Sequence, residues 1–554
     1  MRRAVSLVAI VSVILILAAE PLPAAAMETA VVLFDFGDGS YRWGQADLAV
    51  GKDAFNATLD AAKLFQFTIE YEWFPFGVMV RGIEGHRPSF PAWWHLLTWN
   101  RNGERWENSQ VGAAGLMLDD GDAIAWFLAV DNPETFESPL PSPTPKHPYP
   151  WLQFRGDNSN TGNHPGEFCW SPSLDWQFDT GAFEISGSVA VSGGIVFVPT
   201  WTGLFALNED DGTLLWKRSD IAGMSSPSVF NYGVFIGSRA GNLHHVSALT
   251  GADIWNVSLI PSPQFTGIAS SPKYRLGRVY VGLFNESGGD GGVVALSEWN
   301  GSELWRHPSP SVHMSSPAIG EDALYVGLAG RFNASSLAYE EPYGVLSLNV
   351  TDGSERWFSQ TSGAIFSSPT LFGDHVYYTS RAGFVGLVGG GSKQMGKSTS
   401  SPAVSTEDGW PWGLMYVGDG IIGEHGHLMA LWGNMDEKWN VTLPGPVQSS
   451  PLLVDGHVIV ATNSPQGTAY LLDAESGSIL WSFTPSPADY ILSSPVVADG
   501  RLFLASDNGI VYSFDCPSEG GTTTPSTLGF TGITVLVAVI GAAVIAVVFI
   551  PRRR

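Results

Sequence analysis

Short apolar runs separated by glycine-containing turns recur through the middle of the chain, with side chains alternating in the two-residue period of β-strands. One unit shows the grammar. Pro495-Val496-Val497 reads as a first strand, Asp499-Gly500 as a turn, and Leu502-Phe503-Leu504-Ala505 as a second strand. Asn508-Gly509 then turns the chain into Ile510-Val511-Tyr512-Ser513-Phe514. Both dipeptides favour positive φ and so tight hairpins. The preceding unit adds a fourth strand, Ile479-Leu480-Trp481-Ser482-Phe483, after Ser476-Gly477.

The unit repeats. Ser-Ser-Pro opens it at 225, 270, 315, 367, 400, 449 and 493, so successive starts lie 45, 45, 52, 33, 49 and 44 residues apart. Ser186-Gly187-Ser188 is a degenerate eighth start. Periods in the forties with four short strands each predict propeller blades, not a helical solenoid. The spacing Gly-x-x-x-Trp places Trp216, Trp255, Trp305, Trp357 and Trp481 at one fixed strand position, with Trp439 six residues after Gly433. A large ring there is expected to pack between neighbouring sheets. The fifth unit has no such Trp, only Gly389-Gly390-Gly391-Ser392.

This phrase resembles the pyrroloquinoline-quinone-like repeat of quinoprotein dehydrogenases and of the bacterial outer-membrane assembly lipoprotein. The resemblance spans residues 151–516 and implies an all-β, eight-bladed propeller; it does not specify a function. The last unit lacks its outer strand, whereas an orphan strand, Leu174-Asp175-Trp176-Gln177-Phe178, precedes the first. That strand is expected to complete the last blade, with Trp176 as its packing ring. Cys169 and Cys516 flank the two pairing strands and are expected to form a disulfide.

Ahead of the propeller, residues 27–132 read as a small β-rich, grasp-like α+β domain. Strands are expected at 30–36, 67–72, 78–83, 93–100 and 124–128, and a helix at 56–62. The run containing Trp93, Trp94, Trp99, Gly103, Val111-Gly112-Ala113 and Trp126 resembles the transcobalamin C-terminal-like domain. Residues 133–150 are proline-rich and predict a semi-rigid spacer.

Both termini carry targeting signals. Arg2-Arg3, an apolar run and Ala24-Ala25-Ala26 read as a signal peptide over 1–26. After a Thr/Ser/Gly spacer (517–528), residues 529–550 are long and apolar enough for one membrane helix, and the basic tail 551–554 stays cytoplasmic. The stretch Ser526-Thr527-Leu528-Gly529-Phe530-Thr531 with its span and arginines resembles archaeal-type surface sorting signals, with Leu528 where the usual proline stands. The expected location is therefore the cell membrane, single-pass, with the body extracellular. Sequons at Asn56, Asn256, Asn285, Asn300, Asn333, Asn349 and Asn440 agree with a glycoprotein.

Composition narrows the chemistry. The 554 residues carry a net charge of -25, so nucleic acid is excluded as a partner. Two cysteines leave no thiolate zinc cluster and no adjacent pair of the kind many quinone enzymes hold against the cofactor. His244-His245 and His425-Gly426-His427 are the only close histidines, without a third ligand in view, and the acidic 208–212 stretch sits where each unit turns. No cofactor or metal is expected. The reading is a surface-anchored, non-enzymatic binding or scaffold protein for an extracellular protein, glycan or small ligand. The alternatives are a secreted quinoprotein dehydrogenase using the quinone and Ca²⁺, and a cobalamin or small-ligand receptor. If recognition uses the channel mouth, the hydroxyls of Ser225, Ser270, Ser315, Ser449 and Ser493, with the serine after each, are the candidate contacts. Their alternative role is to brace adjacent blades through backbone hydrogen bonds.

Overall fold

The computed structural model describes residues 29–516 apart from 39, 49–50, 66, 76, 101–104, 120–121, 133–138, 142–149, 231–232, 262–265, 287–290 and 406–412. The expected signal peptide, the 517–528 spacer, the 529–550 span and the basic tail lie outside the described residues, as does most of the proline-rich linker. Among the described residues no helix is long and apolar enough to cross a membrane.

The repeats fold as the strand pattern requires. Among the described residues there are eight consecutive antiparallel meanders, each of four strands; the first runs through Ala190–Ser192, Ile195–Thr200, Gly203–Asn208 and Leu214–Arg218. The last meander, Val496–Ala498, Arg501–Ala505 and Ile510–Asp515, takes Ser173–Asp179 as its outer strand, pairing Ser513 with Trp176 and Asp515 with Ser173. The orphan strand thus closes the array as expected. Both cysteines are disulfide-bonded and the chain has no others, so the bond is Cys169–Cys516.

Every outer strand but that of the fifth sheet carries a tryptophan opposite a β-bulge in the third strand, as at Ala206 opposite Trp216 and Ala295 opposite Trp305. The ring is thereby aimed at the next sheet. Trp176, Trp216, Trp255, Trp305 and Trp439 donate their indole N–H to a turn carbonyl of that sheet, on Glu209, Ala248, Glu298, Val350 and Ala474. Each also lies flat on that turn's glycine, where a Cβ would come within 3 Å of the ring. Trp357 packs with Leu371 and Val376 of the fifth sheet instead, and Trp481 meets Phe514 of the eighth edge-on. The fifth sheet, lacking a tryptophan, has only the short outer strand Ser392–Gln394 and no bulge.

The front domain is a mixed five-stranded sheet, ordered Tyr41–Asp47, Thr29–Asp35, Ala123–Val130, Ala92–Asn100 and Arg105–Asn108. Helix Ala54–Leu64 is capped by Asp53, whose carboxylate accepts the Asn56 N–H at 2.9 Å. It is pinned to the sheet where Trp126 Nε1 donates to Thr58 Oγ1 at 2.8 Å. A separate hairpin joins Ile69–Phe74 to Gly77–Ile83. Tyr41 Oη donates to Asp210 on the first repeat at 3.2 Å.

Gly301 has φ +67 and its Cβ position lies 2.7 Å from Trp255, whereas Gly389 has φ +72 with open space. Gly301→Ala should therefore lower stability clearly more than Gly389→Ala, which carries backbone strain alone, and Trp255→Ala should cost about 3–5 kcal/mol. Urea unfolding of the three variants decides; equal effects of the two glycine changes would mean the indole stack carries no weight. Reduction of Cys169–Cys516 should destabilise by roughly 4–5 kcal/mol, because the bond closes a very long loop. An unchanged melting temperature in reductant would show that strand pairing alone holds the seam.

Candidate functional site

The Ser-Ser-Pro strands form the inner rim, and each of the three residues has its own task. The first serine braces its own sheet twelve positions on. Ser225, Ser270, Ser315 and Ser449 hydroxyls accept the N–H groups of Gly237, Gly282, Gly327 and Ala461 at 3.2, 3.0, 2.8 and 2.9 Å. The second serine reaches the neighbouring sheet. The N–H of Ser188 donates to Ser226 Oγ, that of Ser226 to Ser271, Ser271 to Ser316, Ser316 to Ser368, Ser368 to Ser401, Ser401 to Ser450, Ser450 to Ser494, and Ser494 back to Ser188. The eight distances run from 2.8 to 3.1 Å and close a circle.

This corrects one expectation. Ser225, Ser270, Ser315, Ser449 and Ser493 are at most 3% exposed, so they offer no hydroxyls to a ligand. The bracing role is the one the structure contains. A hydroxyl at the rim costs less bonded to the next strand's N–H than left open, since each such N–H would otherwise be a buried unpaired donor.

The proline carbonyls perform the third task, which sequence reasoning missed entirely. Residues 151–164, between the linker and the orphan strand, run once around the inside of the ring. Their carbonyls accept the inner-strand N–H groups of Val191, Val229, Ile319, Leu371, Val404 and Leu453 at 2.6–3.0 Å, visiting six sheets in chain order. Asn163–His164 finishes as a parallel strand beside Leu452–Val454. We call this segment the belt. Asn160 donates to the carbonyls of Pro317 and Pro369 at 3.2 and 3.0 Å. Lys273 Nζ, on the third sheet, holds the Phe154 and Asp157 carbonyls. Arg155 reaches across to the carbonyls of Pro402 and Pro451, on the sixth and seventh sheets. Its own carbonyl accepts the Gly162 N–H at 3.2 Å, so Arg155 ties the early belt to its end, and it is 2% exposed. The only sequence hint was a strandless, Gly/Asn-rich stretch beside a proline-rich linker.

Burial of these two cations has an electrostatic consequence. Desolvation pushes Arg155 down to about 9 and Lys273 down to about 7, with Asp157 opposing the shift in both cases. The remaining predicted candidates fall elsewhere. His244 bonds Ser238 at 3.1 Å, and His245 stacks on Phe235 at 4.0 Å and is pushed down to about 4 by burial. His427 pairs with Asp419 at 3.0 Å while His425 is exposed. The 208–212 stretch makes turn bonds, Asp210 N–H to Asn208 Oδ1 and Thr213 N–H to Asp211 Oδ1, as its turn reading expected. Among the described residues no three His, Cys, Asp or Glu side chains are grouped to hold a metal ion.

Two faces remain. One bears the first and third hairpin turns of each meander; the other bears the second turns and the segments connecting successive sheets. The connecting face carries two distinct poles. On sheets three to five, an extra hairpin (Arg331–Asn333 with Ala338–Glu340), foreshadowed by the 52-residue spacing, brings Phe332 and Tyr339 onto Phe284, His313 and Phe366. His313 lies between Tyr339 Oη at 3.0 Å and Thr266 Oγ1 at 3.4 Å, and burial pushes it down to about 4. At the seam of sheets eight and one, Asp507 is pushed up to about 7 by burial, with Glu184 and Asp489 adding to the rise. Phe183 beside it is 68% exposed.

Lys273 predicts a pH signature. Its folded value of about 7 lies below the 10.5 of the unfolded chain, so the unfolded state binds more protons between those limits. Stability relative to Lys273→Met should therefore rise as pH increases from about 7 towards 10, and level off below 7. A pH-independent difference in chemical denaturation would show that Lys273 titrates normally.

Comparison with known proteins places this geometry. The family model described as outer membrane protein assembly factor BamB matches residues 166–388 and 436–523, more than half of the chain, and starts after the belt. The BamB of Shewanella oneidensis is 23% identical over 366 residues, covering 62% of this chain and 76% of that protein. Tetrathionate hydrolase of Acidithiobacillus ferrooxidans is 22% identical, covering 50% of this chain and 44% of its own length. Among solved structures, the quinohemoprotein alcohol dehydrogenase of Comamonas testosteroni superposes with a TM-score of 0.54 at 15% identity, over 66% of this chain and 80% of that one. That likeness concerns the fold alone.

Proposed function

The chain belongs to the outer membrane protein assembly factor BamB family, and from that premise we propose that it is a non-enzymatic, eight-bladed propeller that docks a protein or glycan at the cell surface. The observation that carries the reading is the belt. With the belt, Arg155 and the serine circle buried, recognition falls to the faces, and the connecting face offers an aromatic pole and an acidic pole. Exposed Phe183, Leu337 and Ile422, at 68, 67 and 64%, stand on that face. The N-terminal signal and C-terminal apolar run supply the surface location in this proposal. A transcobalamin-like role for the front domain would add a second, small-ligand site to it.

The residues do not fit the quinone chemistry of the structural neighbours. The two cysteines are bonded to each other across the closing seam and cannot form an adjacent pair. Among the described residues there is also no carboxylate-rich group for a calcium ion. No catalytic step is derived through that cofactor.

Full-length protein incubated with the quinone and Ca²⁺ should show no stoichiometric cofactor absorbance and no alcohol oxidation. The partner captured from native surface extract should be lost with Phe183→Glu and Leu337→Glu together, at unchanged melting temperature. Stoichiometric quinone uptake with turnover would overturn the proposal, as would capture unaffected by either change.

A further inference from the structure

Every sheet ends in an outer strand that pairs on one side only, because each stands last in its sheet order. A row of such edges is a standing invitation to pair with another chain, and proteins blunt it with charged side chains, lysine above all. The residue after the stapling tryptophan shows how this is managed. That position is Lys217 on the first repeat and Arg306 on the third. On the second and sixth repeats it is Asn256 and Asn440, each followed by x-Ser/Thr. Strand Asp253–Ser258, like Ile479–Phe483, contains no lysine or arginine, whereas Glu437–Leu443 has Lys438 beside its tryptophan. Two of the seven sequons thus stand at a position that is basic on two other edges and Phe358, Ser482 or Gln177 on the fourth, seventh and eighth.

The structure sorts the sequons further. In Asn256-x-Ser258 and Asn440-x-Thr442 both the amide and the hydroxyl residue are exposed. Asn56 differs, because Thr58 is fully buried, donating to the Ala54 carbonyl at 2.6 Å and accepting from Trp126. Asn333 is engaged at both ends, donating to Glu340 at 2.7 Å and accepting the N–H groups of Ser335 and Ser336. Asn349 is half-buried and accepts the Thr351 N–H at 2.7 Å. Asn300 is exposed but its carbonyl oxygen accepts the Ser302 N–H at 3.0 Å.

We infer that Asn256 and Asn440 carry N-linked oligosaccharides that shield the outer edges of the second and sixth sheets from strand pairing. The donor class is a lipid-linked oligosaccharide diphosphate acted on by a membrane-bound transferase. A bond forms between the anomeric carbon and Asn Nδ2, the anomeric carbon–oxygen bond to the diphosphate breaks, the amide loses one proton, and the lipid diphosphate leaves. A bulky hydrated glycan on an edge strand blocks an approaching backbone as a lysine does, and the second and sixth sheets lie opposite one another, so both sides of the rim are covered. The inference rests on the exported location proposed above.

The test is glycopeptide mass mapping of full-length protein recovered from the native cell surface. Saccharide adducts are expected at Asn256 and Asn440, with Asn56 and Asn333 unmodified. Ser258→Ala with Thr442→Ala keeps both asparagines and should remove both adducts, shifting the protein from monomer towards higher species in sedimentation. Surface-recovered chain bare at 256 and 440 overturns the inference while leaving the surface location intact. Recovery only from inside the cell overturns the location and the inference with it. Loss of both adducts with no change in sedimentation overturns the edge-shielding role.

Discussion

Eight backbone N–H groups donating to eight serine hydroxyls, each on the next sheet, are the constraint on which the rest of this structure depends. A circle of hydrogen bonds admits no free end, so every sheet must stand at the same height and tilt as its neighbours. Ser225, Ser270, Ser315, Ser367 and Ser449, first serines of their pairs, tie the inner strand to the second strand of its own sheet, which transmits the circle's register outward. A single Ser→Ala change in the circle would leave one buried N–H without an acceptor, and such an unpaired group costs about 1–3 kcal/mol.

The belt solves the problem that the circle creates. Eight inner strands facing a channel present unpaired backbone groups to it, and burial of those groups unpaired would be costly. Residues 151–164 satisfy six sheets with main-chain carbonyls, Arg155 and Asn160 donate to the carbonyls of Pro402, Pro451, Pro317 and Pro369, and Lys273 holds the belt's own carbonyls. Here two buried cations face the carboxylate of Asp157, which opposes the downward shift that burial imposes on both. The carbonyl dipoles of Phe154, Asp157, Pro402 and Pro451 compensate their charge locally.

At the outer rim the constraint loosens. Tryptophans staple most neighbouring sheets by an indole N–H and a flat glycine contact, but the fifth sheet has neither: Trp357 of the fourth packs on its Leu371 and Val376, and its outer strand meets the sixth through the ion pair of Lys393 with Glu437 at 3.2 Å. The enlarged fourth repeat with its extra hairpin adjoins this weak sector. The irregular stretch of the ring and the aromatic pole of the connecting face therefore occupy the same side of the disc, where the regular repeat is least strictly required.

Much of this was legible from the chain alone. The Ser-Ser-Pro spacing, the Gly-x-x-x-Trp phrase and the orphan strand at 174–178 determined the meanders, the packing direction of the tryptophans and the Cys169–Cys516 seam, because each depends on local turn chemistry and strand alternation. The front domain's helix and five of its strands were likewise readable within a few residues, but Tyr41–Asp47 and Arg105–Asn108, polar strands without a clear apolar alternation, were not. What only the tertiary structure decided was the use of the rim. Whether a serine hydroxyl faces a ligand or the next strand depends on where the neighbouring repeat lies, some 33 to 52 residues away. The belt was invisible for the same reason: it has no periodicity of its own, since its hydrogen-bond partners are spread over six different sheets and its path is set by a ring that exists only once all of them are assembled.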